Sequence, residues 1–251
     1  MQDKNTVDNL INKSKSFFLD LLFPRFCLGC KKEGFYLCED CRALLDILEY
    51  NYCLCDYKPQ RLLPEQKTGK CNHCQNKRLS GLYFALSYKE KALTRKLIHQ
   101  FKYPPYLKDL AKTLAGILAE HFIISGKNIS RIWENSVLLP VPLDYKKLKI
   151  RGYNQSEEIA KELSKILKIP ALSGVLVKIK PTKPQMELLK KERENNLCGA
   201  FAVKNSEQFL NKKIFLVDDV YTTGSTMEEC ALVLQNEGVK NIWGIALARE
   251  E

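Results

Sequence analysis

The stretch Ile214-Phe215-Leu216-Val217-Asp218-Asp219-Val220-Tyr221-Thr222-Thr223-Gly224-Ser225-Thr226 constrains this chain more than any other. Four apolar residues predict a buried strand. Two adjacent carboxylates stand where that strand ends. A short run of hydroxyl residues around one glycine then opens a helix. Such a loop offers backbone N–H groups and the positive end of the helix dipole, which together cradle a phosphate. Thr222, Thr223, Ser225 and Thr226 add hydroxyl donors. Asp218 and Asp219 fall within a sugar's length of that phosphate and can accept hydrogen bonds from ribose 2′ and 3′ hydroxyls. Phosphate at one end and a diol at the other describe a ribose 5-phosphate. The chain carries neither a G-x-x-x-x-G-K-[ST] loop nor a G-x-G-x-x-G loop.

Other segments supply the frame. Leu82, Phe84, Leu86 and Tyr88 alternate as a strand does. Residues 91–101 and 107–124 read as helices, the second with Leu110, Leu114, Ile117, Leu118 and Phe122 on one side. Val137 to Pro142 and Val175 to Val177 read as buried strands, 154–168 and 225–237 as helices, and Ile242 to Ala248 as a last strand. Asn154 and Glu157 have the spacing of a capping box. Strands alternating with helices predict an α/β fold with a parallel sheet covered on both faces, binding its ligand beyond the carboxyl ends of the strands. The loops after Pro142, Val177 and Val217 are therefore the expected site.

Eight of the ten cysteines lie between Cys27 and Cys74. They form Cys27-x2-Cys30 with Cys38-x2-Cys41, then Cys53-x-Cys55 with Cys71-x2-Cys74. Thiolates two residues apart on a tight turn both reach one tetrahedral Zn²⁺, and two such turns close a structural four-cysteine site. So short a stretch with few apolar runs needs such a staple to fold. Consecutive and interleaved pairings share this spacing, His73 lies inside a knuckle, and an iron–sulfur cluster is the minor alternative. The expected organisation is an amphipathic helix over 1–26, a double zinc module over 27–80 and an α/β domain over 81–251.

The net charge of +11 favours polyanions such as phosphorylated small molecules or nucleic acid. Two zinc ions on eight thiolates lower it to about +7. Neither a signal peptide nor an apolar run long enough to span a membrane is present, so the cytoplasm is the expected compartment. Cys198 and Cys230 read as packing residues. Lysines cluster at Lys146, Lys147 and Lys149 before Arg151, and at Lys178, Lys180, Lys183, Lys190 and Lys191 before Arg193. Such runs are commonly solvated faces, and they can also track a nucleic-acid backbone.

The Asp218–Thr226 string resembles the signature of type I phosphoribosyltransferases for 5-phosphoribosyl-1-pyrophosphate (PRPP). More specifically, the chain resembles the ComF family, competence-associated proteins similar to amidophosphoribosyltransferases. Leu139-Pro140-Val141-Pro142-Leu143 leading to Arg151-Gly152-Tyr153-Asn154-Gln155 carries the likeness. So do Gln185, Arg193, Asn195 and the Gly199-Ala200-Phe201 step, together with the cysteine pairs. Cys53-x-Cys55 is one residue shorter than the family's usual knuckle. The likeness implies a type I phosphoribosyltransferase domain behind a double zinc ribbon, with structural Zn²⁺ and with Mg²⁺ accompanying PRPP. It implies catalytic roles for Asp218, Asp219, Arg151 and Arg193, PRPP contacts from Val220 to Thr226, and a lid over 180–197. It further implies work in DNA uptake during natural transformation, beside single-stranded DNA and a DNA-translocating ATPase at the inner face of the membrane, and a homodimer. A non-enzymatic sensor of PRPP or a nucleotide that holds single-stranded DNA is the alternative, with Tyr103, Tyr106 and Tyr153 available for stacking.

Overall fold

Apolar runs separated by helices pair in register, because a strand buried on both faces must find its backbone partners beside it. In the computed structural model, which describes residues 24–56, 58–63, 68–88, 92–126, 132–181 and 197–250, this yields a four-stranded parallel sheet in the order β1-β6-β5-β2. The strands are β1 (Gly81–Ser87), β2 (Ser136–Pro140), β5 (Lys213–Tyr221) and β6 (Ile242–Arg249). Registers such as Leu139↔Leu216 and Val217↔Ile245 bring the carboxyl ends of the strands to one edge. The N-terminal helix expected within 1–26 lies almost entirely outside the described residues.

The chain divides into two compact units, one up to Leu45 and one from Asp46 onward. The two cysteine sets, read from the sequence as one module over 27–80, thus fall in different units. In the smaller unit, Phe26 bridges Glu33 and a short helix α1 (Glu39–Ala43) follows Cys38, whose sulfur accepts from the Cys41 N–H at 3.5 Å.

In the larger unit, alternation along each strand sends side chains to two cores. Tyr83, Phe122, Trp133, Phe215 and Trp243 stack in one, with ring centroids from 4.6 to 6.4 Å apart. The other gathers Leu82, Phe84, Leu139, Ile214 and Leu216 with Met227, Cys230, Ala231 and Leu234 of helix α6 (Ser225–Asn236). β1 was read as alternating, yet Gly81 to Leu86 are all buried, because both of its faces are covered. Helices α2 (Ala92–Lys102), α3 (Leu110–Ile124), α4 (Tyr145–Arg151) and α5 (Gln155–Leu167) complete the frame. Within α3, His121 is fully buried and its Nδ1 lies 2.6 Å from the Leu48 carbonyl, tying the segment before β1 to the helix. Burial lowers its pKa, so it stays neutral.

Two expectations on strands change. The run at Val175 does not join the parallel sheet. β3 (Leu176–Lys178) pairs antiparallel with β4 (Phe201–Val203), and this hairpin packs beside α6. A short apolar run does not encode its partner, and the only signal for β4 was the Ala200-Phe201 step. β5 also continues through Asp218 and Asp219 to Tyr221, because β6 is long enough to pair with Val220 and Tyr221 through Ala248 and Arg249.

Candidate functional site

The site is assembled where β2 ends beside β5, with the Val141 N–H bonded to the Val217 carbonyl at 2.9 Å. Adjacent positions on a strand point to opposite faces, so the aspartate pair divides its partners. Asp218 Oδ1 accepts from the Ser156 hydroxyl at 2.8 Å and from the Asp219 N–H at 2.9 Å. Asp219 Oδ1 meets the Lys102 ammonium at 2.9 Å. Burial pushes Asp218 up to about 7, reinforced by the Asp219 charge and opposed by Lys102, Ser156 and the Asp219 N–H. Asp219 Oδ2 is buried without a hydrogen-bond partner among the described residues.

The phosphate loop is shaped by one glycine. Gly224 has φ +76, in the left-handed region, and a Cβ there would come within 2.2 Å of the Tyr221 hydroxyl. Thr223 and Ser225 share a hydroxyl–hydroxyl bond of 2.8 Å, and the Glu228 N–H returns to the Gly224 carbonyl at 2.9 Å to begin α6. Thr222, Thr223, Ser225 and Thr226 are partly exposed around this turn, where a helix N-terminus favours an anion.

Arg151 ends α4, a short helix rather than the loop expected, on which Lys146, Lys147 and Lys149 are exposed. Gly152 at φ +82 turns the chain into α5, where Asn154 caps the Ser156 N–H at 3.2 Å and its amide donates to the Val141 carbonyl at 2.9 Å. The reciprocal half of the expected capping box is replaced by an ion pair of Glu157 with Lys161 at 2.9 Å. Burial lowers the pKa of Arg151 while the Asp219 charge supports it, and its Nη1 is buried with no hydrogen-bond partner among the described residues. Arg193, Gln185, Asn195 and nearly all of the 180–197 segment lie outside the described residues.

Both cysteine sets close consecutively. Cys27, Cys30, Cys38 and Cys41 bring their sulfurs within 4.8 Å of one another, as do Cys53, Cys55, Cys71 and Cys74. Four sulfurs at about 2.3 Å from one tetrahedral Zn²⁺ stand about 3.8 Å apart, so both sets fit a structural zinc ion. The short Cys53-x-Cys55 knuckle reaches its site, and His73 is exposed outside the ligand group. Burial raises Cys27 and Cys71, but N–H donors from Cys30, Cys38 and Gly29 hold Cys27 at about 6, and the His73 N–H with neighbouring thiols holds Cys71 at about 6. In each set other thiols are raised by burial and by their neighbours, Cys41 to about 12 and Cys55 likewise upward, so the sulfurs of a set crowd charge that a cation would relieve.

The second set is wired into the larger unit. The Arg249 guanidinium, 1% exposed, donates to the Cys53 carbonyl at 2.7 Å and also to the Cys55 carbonyl. It lies 5.5 Å from the ring centres of Tyr221 and Phe84. Glu228 accepts from the Arg78 N–H at 2.6 Å and from the Leu79 N–H at 3.4 Å. Lys102, Ser156, Glu228 and Arg249 escaped the sequence reading, because each looks locally like an ordinary helix or strand-end residue. Cys230 is fully buried on α6, whereas Cys198, expected to pack, is exposed.

Comparisons with known proteins agree with this geometry. A phosphoribosyl transferase domain family model matches residues 113–250. The chain is 36% identical over 155 residues to competence protein F of Haemophilus influenzae, covering 61% of this chain and 67% of that one. It is 29% identical over 153 residues to the DNA utilization protein YhgH of Salmonella typhimurium, covering 61% of this chain and 66% of the relative, and 33% identical over 102 residues to competence protein ComFC of Bacillus subtilis, covering 41% and 39%. The match thus spans about two thirds of the first two relatives. With its parallel sheet, its cysteine clusters and this domain match, the chain belongs to the phosphoribosyl transferase domain family, as a protein of the ComF type.

Proposed function

We propose that the chain binds PRPP, with the 5-phosphate on Thr222–Thr226 and the ribose diol on Asp218 and Asp219, and that it transfers the phosphoribosyl group. The supporting observation is the partly buried carboxylate pair held one short turn from the left-handed Gly224. In the reaction the C1′–oxygen bond breaks with its electron pair leaving on pyrophosphate. A nitrogen nucleophile bonds to C1′ and gives up its proton to solvent. Mg²⁺ travels with the substrate's pyrophosphate and spreads its charge. The chain's own residues orient and stabilise: the aspartates fix the sugar, the loop amides fix the phosphate, and the unpartnered Arg151 Nη1 is free to meet the leaving group. Arg193 and a lid over 180–197 belong to this proposal on the family likeness alone.

The relatives' names, competence protein and DNA utilization protein, support a role in DNA uptake; single-stranded DNA and a DNA-translocating ATPase as partners belong to this proposal on the family likeness alone. No helix among the described residues is long and apolar enough to cross a membrane. A cytoplasmic place near the inner face of the membrane and a homodimer complete the proposal. The sensor-and-adaptor reading is supported by two exposed rings near basic side chains: Tyr103, 42% exposed after Lys102, and Tyr145, 77% exposed on α4 among exposed lysines. Tyr153 gives it no platform, since that ring is buried and its hydroxyl donates to the Phe101 carbonyl at 2.6 Å. Pyrophosphate release separates the two readings. A transferase releases it from PRPP only when an acceptor from a nucleobase and amine panel is added. Retained PRPP binding with no release across that panel favours the sensor.

A further inference from the structure

Helix α2 ends at Lys102, and its ammonium meets Asp219 of the aspartate pair at 2.9 Å. The placement is built. The Phe101 carbonyl receives the Tyr153 hydroxyl at 2.6 Å, so the end of α2 is pinned to the turn between Arg151 and α5. That turn also delivers Ser156 to Asp218 at 2.8 Å. The Lys102 side chain is 27% exposed and Asp219's is 6%, so the contact is shielded more than a surface pair. Two adjacent carboxylates in so dry a place repel one another, and a polyanionic ligand would repel them further. A cation held against one of them favours the ionised state of both.

We infer that Lys102 is a positioning residue of the ribose site, holding the Asp219 carboxylate in place beside Asp218 so that the pair can accept hydrogen bonds from a sugar diol. This rests on the reading of the site given above. The groups facing the pair come from every neighbouring element. They are Asp219 itself, Lys102 with Tyr103 beside it, Arg151 and Tyr153 from the turn, the Ser156 hydroxyl, and the buried Cys230 thiol of α6. Lys102 is the partner whose removal leaves the strands untouched. Removing it takes away a charge that opposes the upward shift of Asp218, so Asp218 titrates higher and the pH at which diol binding sets in rises with it.

The test is a pH series on the full chain, comparing wild type, Lys102→Met and Lys102→Arg. Two readouts are taken: the carboxyl ¹³C titration of the aspartates in the ligand-free protein, and calorimetric binding of PRPP with Mg²⁺. In Lys102→Met the Asp218 titration moves up by about one pH unit or more. PRPP affinity at about pH 7 falls about tenfold, recovering above about pH 8, while Lys102→Arg stays near wild type. Thermal melting verifies that each variant is folded, and Lys102→Gln replaces the methionine variant if that one is not. An unmoved carboxyl titration overturns the inference. So does a loss of affinity equal at every pH. If wild type binds no PRPP at any pH, the PRPP reading has failed, and the ligand-free titration still decides the role of Lys102.

Discussion

Alanine at position 224 is expected to remove PRPP binding. Two costs combine. The left-handed conformation, φ +76, disfavours any residue with a Cβ by about 1–2 kcal/mol. The new methyl would also stand 2.2 Å from the Tyr221 hydroxyl and 2.4 Å from its ring carbon, and the ring is 1% exposed with no open space to enter. Overpacking of this kind adds about 1–3 kcal/mol. A loop that must shift to relieve it loses the N–H directions that hold a phosphate, so affinity should fall by about 100-fold or more. Gly174→Ala is the matched control. Its φ is +77, but nothing lies within 4 Å of the added Cβ, so it should lose only about 1–2 kcal/mol of stability and keep its affinity. Calorimetry with PRPP and thermal melting of both variants distinguish a lost cradle from general destabilisation. Equal affinities in the two variants would remove Gly224 from the site.

The second large effect concerns metal at Cys53, Cys55, Cys71 and Cys74. Cys53 and Cys74 are buried among Leu54, Leu62, Leu79 and Leu82, so this cluster belongs to the core that supports α6. Binding of structural zinc contributes about 10–16 kcal/mol in isolated zinc-finger peptides, comparable with the whole stability of a domain. Even a fraction of that, lost on Cys74→Ser, should lower the melting temperature by about 10 °C or more. The consequence reaches the loop. With the metal gone, the Cys53 and Cys55 carbonyls no longer hold Arg249 against Tyr221, and the Arg78–Leu79 segment loosens from Glu228. Zinc analysis should show one ion fewer per chain, and PRPP affinity should fall with it. A variant that keeps its full metal content and melting temperature would contradict the assignment.

The parts of the fold that were legible are those in which neighbouring residues carry the signal. The Ile214–Val217 run, Gly224 and the cysteine spacing each announce their geometry locally, while the paired aspartates lie inside β5 rather than at its end. What escaped depends on residues distant in sequence. Lys102 matters because α2 ends opposite β5, and Ser156 because the α5 cap faces Asp218. Arg249 looked like the polar end of a strand, yet it is buried between a knuckle and Tyr221. The division between compact units was hidden as well. Leu54, Leu62 and Leu79 are scattered singly through a cysteine-rich stretch, and only the folded core shows that they belong with the sheet. The β3–β4 hairpin escaped because three-residue strands carry no periodicity of their own.

The central claim is that Asp218 and Asp219 hold the ribose of PRPP, and one titration addresses it most directly. The zinc-loaded, folded protein is titrated calorimetrically with PRPP and Mg²⁺ beside the double variant Asp218→Asn/Asp219→Asn. The account predicts binding with a dissociation constant of about a micromolar, a free energy of about −8 kcal/mol, that disappears in the double variant. No binding to the wild type, or equal binding to both proteins, would contradict it.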